Sequence, residues 1–131
     1  MKEKPLIIIK ADDFGETNEY WERWFAFLRE RNIASSAGII GRNFSPRSVN
    51  FIKKLQQKGR VEFWNHGHTH AKGEFGGNYK EQVQQLKACQ EVGKKYLGIT
   101  FETFGAPFNA ANAETSKALD ALGEHKIWLF G

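Results

Sequence analysis

Short β-type apolar runs alternate with segments of helical periodicity along the whole of this chain, and that alternation limits the folds open to it. Leu6 to Ala11 is a continuous run of the first kind. Glu16 to Asn32 follows, with Trp21, Trp24, Phe25 and Leu28 at helical spacing, which buries one helix face. Ile33 to Ile40 predicts a second strand, ending at Gly41. Ser45-Pro46 reads as an N-cap with proline at the first helical position, and Val49, Ile52 and Leu55 lead a helix that stops at Gly59. Val61 to Asn65 predicts a third strand. Tyr79 to Leu97 predicts a long helix, with Val83, Leu86 and Cys89 on one side and Gly98 just past its end. Thr100 to Phe104 reads as a fourth strand closed by Gly105-Ala106-Pro107. Asn112 caps a fourth helix carrying Ala118, Leu119 and Leu122, and Lys126 to Phe130 predicts a fifth strand.

A β-α unit repeated four times and closed by a strand predicts an α/β fold with a mainly parallel sheet. The 131 residues suffice for one domain, 1–131, with a real core and are too few for two. A hydrophobic content of 40% with 14% aromatics argues for a packed interior. The net charge of +4 is modest and its basic residues are mixed among acidic ones, so Lys53-Lys54 and Lys94-Lys95 read as solvated helix faces and no nucleic-acid partner is expected. The single cysteine, Cys89, excludes an internal disulfide and falls in a helical pattern as a small core residue. Leu6-Ile7-Ile8-Ile9 is too short for a membrane span or a secretory signal. The expected location is therefore the cytoplasm, or that of the mature part of an exported protein, with no membrane partner.

In a parallel sheet all strand C-termini meet on one face, where ligands bind. Asp12-Asp13, Arg42-Asn43, His66 to His70 and Pro107 to Asn109 all fall there, whereas His125 precedes its strand and is expected at the opposite end. His66-Gly67-His68-Thr69-His70 holds three of the chain's 4 histidines. Neutral imidazole is the commonest protein ligand for a transition metal. Against this stands the reading of a polar loop with chance histidines; for Asp12-Asp13-Phe14-Gly15 the rival is a turn with a helix N-cap. Convergence at one face favours the metal site, with ligands Asp13, His66 and His70, and His68, two residues from each histidine, pointing elsewhere. An Asp and two His leave an open coordination position, as a catalytic site requires. Asp12 is then free to take a proton from a metal-bound water. Trp64, Trp128 and Phe108 read as packing residues more readily than as a sugar platform.

Asp12-Asp13 after the first strand, His-x-x-x-His after the third and an aromatic-Gly-Ala-Pro segment after the fourth resemble the polysaccharide deacetylases of carbohydrate esterase family 4, the NodB-homology domain. Glu62 to His70 looks like one branch of it, and Ala11-Asp12-Asp13-Phe14-Gly15 is also similar to the related YdjC-like carbohydrate deacetylases. The resemblance implies a distorted (β/α)7 barrel that uses a metal-activated water to remove N- or O-linked acetyl groups from an oligo- or polysaccharide. By motif position Asp12 would be the catalytic base, and Asp13, His66 and His70 would bind a divalent metal ion, Zn2+ above others. Pro107, Phe108, Asn109 and Arg42 would face the substrate or the oxyanion.

Two departures are visible. The family carries an arginine that orients the base in its third motif, where Phe104-Gly105-Ala106-Pro107 has none; Arg42 is the substitute expected here. The family's later motifs, including a general-acid histidine, have no counterpart before Gly131, so the domain is expected to lack the C-terminal part of the barrel. That leaves a second expectation: a non-catalytic metal- or glycan-binding remnant that self-associates through its exposed last strand.

Overall fold

The computed structural model describes residues 3–130. Its sheet has five parallel strands in the order β1-β2-β3-β4-β5: β1 (Lys10–Phe14), β2 (Ser35–Ile39), β3 (Val61–Asn65), β4 (Thr103–Gly105) and β5 (Ile127–Leu129). Four helices connect them: α1 (Glu19–Glu30), α2 (Pro46–Lys58), α3 (Tyr79–Val92) and α4 (Ala113–Leu122). Each crossover moves the chain one strand further in the same direction. With crossovers of one hand, this places the helices together on one side of the sheet, as in a barrel and unlike a doubly wound fold. No helix among the described residues is long and apolar enough to cross a membrane.

The helices start where side chains can satisfy their free N–H groups. Asn18 accepts from the main chain of Tyr20 and Trp21, so α1 begins three residues after the expected Glu16. Ser45 caps α2 with Pro46 behind it, as its sequence predicts, and Asn78 and Asn112 form capping boxes for α3 and α4. The expected long helix to Leu97 is α3 plus a π-helical turn, Gly93–Leu97, closed by left-handed Gly98.

The first strand differs most from its sequence reading. Pairing starts at Lys10, and Leu6, Ile7 and Ile8 are exposed. Among the described residues β1 is an edge strand that pairs with β2 alone, and β2 opens at Ser35, so the earlier apolar residues lie beyond the end of their potential partner. The strand instead runs on through Asp12 and Asp13 to Phe14. β4 begins later than expected, at Thr103, because the Phe101 carbonyl is taken by the Gln90 side chain.

Alternation along the strands separates two faces. Phe14, Ala37, Ile39 and Phe63 point to the helices and pack with Phe25, Ile52, Leu55 and Cys89. Phe104 does the same against Leu86, Ala118 and Leu119. Burial raises the Cys89 thiol pKa far above its ordinary value, and the thiol serves as a core side chain, as expected. The other face is dominated by Trp64, 1% exposed, whose indole N–H donates to Ser36 Oγ at 3.2 Å.

Candidate metal centre

The site begins with a bulge. Ala11 pairs with Ala37 but Phe14 with Ile39, so β1 spends one residue more than β2 over this interval. Asp13 takes up the extra residue at φ 66°, a left-handed conformation costly for a side chain with Cβ. Phe14 thereby returns to the core, 0% exposed, while Asp13 turns toward the end of β3.

There, Asp13 Oδ1 lies 3.0 Å from His66 Nε2 and 2.8 Å from His70 Nε2. All three potential donor atoms lie within 4.8 Å of one another. His66 is buried at the end of β3, and its Nδ1 is 2.7 Å from the Gly105 carbonyl oxygen. A carbonyl only accepts, so Nδ1 carries a proton and the neutral ring presents its Nε2 lone pair to Asp13. Two acceptors at 3.0 Å oppose each other unless the imidazole takes a second proton or a cation sits between them. One carboxylate oxygen and two imidazole nitrogens, one of them backed by a carbonyl, suit a divalent transition metal with a position left for water or substrate.

Asp12 is half exposed beside the triad and bound elsewhere: Lys10 Nζ lies 2.9 Å from its Oδ1 and 3.3 Å from Oδ2. The same ammonium sits 5.8 Å from the centre of the Trp64 ring. Period-2 alternation puts Lys10 and Asp12 on one face of β1, and among the described residues Lys10 is the cation paired with this carboxylate. Arg42, expected in that role, lies exposed in the turn after β2, and its main-chain N–H donates to the His68 carbonyl at 2.9 Å.

His66 to His70 forms a tight loop. Gly67, at φ 79°, donates to Asn65 Oδ1, and a Cβ there would lie 2.5 Å from Glu74 Oε2. His70 also has a positive φ, 58°. His68 turns away from Asp13, toward Gly41, whose added Cβ would meet His68 Nδ1 at 2.8 Å. After β4, Pro107 is buried and Phe108 exposed, with the Phe108 ring 4.8 Å from that of His70. Phe108 and Asn109 both have positive φ, so four of the six such non-glycine residues among those described border this site. Strained backbone of this kind concentrates at functional sites. His125 is outside the triad, but its ring is not at the opposite end of the sheet as expected: Nε2 lies 3.3 Å from Nδ2 of Asn65, the last residue of β3.

Sequence reasoning overlooked Glu74, Lys10 and the Gly105 carbonyl as parts of this site. Glu74 is 8% exposed and accepts from the main-chain N–H groups of His68, Thr69 and His70. Its sequence setting, Gly73 to Gly77, reads only as a glycine-rich loop.

A parallel α/β sheet in sequential strand order, with an Asp-His-His cluster where its strands end, defines a barrel-type α/β protein with a candidate metal centre. The polysaccharide deacetylase family model matches residues 1–127, and the chain belongs to that family. Among solved structures it is similar to an acetyl xylan esterase of carbohydrate esterase family 4 from Clostridium thermocellum, in complex with a cobalt ion, at 18% identity and a TM-score of 0.81, covering 95% of this chain and 57% of the other. The chitin deacetylase of the fungal pathogen Colletotrichum lindemuthianum matches at 16% identity and a TM-score of 0.80, with 93% and 54% covered. A pseudoenzyme of the same family from Bacillus anthracis matches at 19% identity and a TM-score of 0.77, with 92% and 42% covered. The chain thus spans about half the length of these relatives. No curated protein sequence matches it.

Proposed function

We propose that this chain carries the metal-binding part of a carbohydrate deacetylase that hydrolyses N- or O-linked acetyl groups on an oligo- or polysaccharide. The observation that carries this reading is the convergence of Asp13, His66 and His70, with the Gly105 carbonyl accepting from His66 Nδ1 and so leaving Nε2 as the lone-pair nitrogen of the neutral ring. A divalent ion held there, Zn2+ by preference for two nitrogens and an oxygen, would supply Lewis acidity to water and to the acyl oxygen. Asp12 acts as the base: its carboxylate is beside the triad without belonging to it, and Lys10 holds it in orientation. Phe108, exposed against His70, forms an apolar rim for a sugar ring.

The test is metal content and turnover together. Wild type is expected to bind one equivalent of Zn2+ and release acetate from chitooligosaccharides or acetylated xylan. His66→Ala and His70→Ala should lose the metal, and retention in both would refute the ligand set. Asp12→Asn should keep the metal and lose turnover by ~10²–10⁴-fold, the usual worth of a general base.

A second reading is a non-catalytic metal- or glycan-binding domain that self-associates through its last strand. The exposure of Ile127 and Phe130 at the β5 edge favours it. It requires metal or glycan binding without acetate release and a solution mass above that of one chain; acetate release by the purified chain rules it out.

A further inference from the structure

The carboxylate of Glu74 faces away from solvent, and among the described residues no cation is paired with it. A buried charge needs compensation, and here the main chain provides it. Oε1 accepts from His68 N at 2.6 Å and Thr69 N at 2.9 Å, and Oε2 accepts from His70 N at 2.9 Å. Three consecutive N–H groups aimed at one anion form a concave nest. On the far side, Gly41 N and Arg42 N donate to the carbonyls of Gly67 and His68 at 3.1 and 2.9 Å. The loop is thus held between an anion and the end of β2.

Those contacts fix the peptide planes leading to His70, a residue at φ 58° whose Nε2 must meet Asp13. Left-handed backbone in a residue with Cβ persists only where its surroundings enforce it. The ring of His66 is oriented by the Gly105 carbonyl, whereas His70 is held through its main-chain N–H, which donates to Glu74 Oε2. We infer that Glu74 is a positioning residue for the metal centre: its carboxylate sets the backbone of His68 to His70 and so aims the His70 imidazole before any ion arrives. This rests on the metal-site reading above.

The experiment is titration of the metal-free chain with Co2+ alone, followed by calorimetry and by the visible absorption bands of the bound ion. Glu74→Gln keeps the shape but offers an NH2 group where one of the two oxygens accepts. It is expected to weaken Co2+ binding by ~10–100-fold, as loss of a ligand's supporting contact does, and to shift the cobalt bands. Asn18→Ala, which removes the cap of α1 remote from the loop, should lower stability and leave the affinity unchanged. That separates aiming from general loosening. Glu74→Gln binding within two-fold of wild type, with unchanged bands, overturns the inference alone. A wild type that binds no Co2+ overturns the metal reading and this inference with it. Should Glu74→Gln fail to fold, hydrogen exchange on the metal-free wild type decides: slowed amides at 68, 69 and 70 support the nest, and exchange at the free-peptide rate overturns it.

Discussion

Asp13, His66 and His70 are three residues in three different backbone situations, and each is oriented by something other than its neighbours in the triad. Asp13 depends on a bulge, His66 on a carbonyl, and His70 on the Glu74 nest. Asp12 depends on Lys10. That pair is partly open to water, with side-chain exposures of 27% and 44%, so it contributes on the order of 0.2–1 kcal/mol and no more. Lys10→Met is therefore expected to lower deacetylation a few-fold, with metal affinity intact, because the ammonium orients Asp12 and touches none of the three donors. Steady-state kinetics beside a metal titration checks this. Equal loss of both would show that Lys10 supports the metal site as a whole.

At the level of the element, β2 and β4 owe their small residues to Trp64 on the strand between them. A Cβ on Gly38 would lie 2.5 Å from the indole Cη2, and one on Gly105 would lie 2.7 Å from Cζ3. Trp64 in turn packs edge-on against His66 at 5.0 Å between ring centres, so the indole is a wall of the site as well as a core residue. Gly38→Ala is expected to destabilise the fold by ~1–3 kcal/mol through overpacking and to disturb His66 by displacing the indole. Chemical denaturation with tryptophan fluorescence would measure both effects; an unchanged midpoint would mean that the ring has room to move. The helix caps behave more simply: Asn18→Ala should cost about 1 kcal/mol and act on α1 alone.

The whole molecule is linked across its sheet by a buried polar cluster under α3. Asn65 donates to the Leu86 carbonyl at 3.1 Å and sits 3.3 Å from His125 Nε2, while Gln90 reaches the Phe101 carbonyl at 3.0 Å and Glu124 at 2.7 Å. Burial lowers the His125 pKa from 6.5 to about 4, against an opposing pull from Glu124. A base with a depressed folded pKa stays neutral in the fold while the unfolded chain takes up a proton. Stability is therefore full above pH 6.5 and declines as pH falls toward 4, below which the difference is constant. The upper bound is ~3 kcal/mol, reduced to about 1–2 kcal/mol because the ring keeps some contact with water. His125→Gln should flatten this part of the stability–pH curve relative to wild type; parallel curves for the two proteins would show that other groups cause the acid loss.

The strand–helix alternation was legible from periodicity alone. Val61–Asn65 matches its sequence reading at both ends, and α2 begins at Pro46 behind its Ser45 cap, since both are set by residues adjacent in the chain. The first strand was not, because Leu6 to Ile9 is apolar whatever lies beside it, and pairing depends on where β2 begins. The clustering of the candidate ligands was legible for a related reason: Asp13 lies near the end of β1 and the two histidines follow β3, and a parallel sheet gathers its strand ends. What surrounds them was not. Lys10 beside Asp12, the Gly105 carbonyl on His66 and Glu74 beneath the histidine loop are all long-range or loop contacts without a periodic signature. The sequence by itself determined the α/β alternation and which residues reach the ligand face. Only the tertiary structure decided how they are aimed, because aim depends on a bulge, a carbonyl and a buried carboxylate that become neighbours when the strands pair and the loop closes.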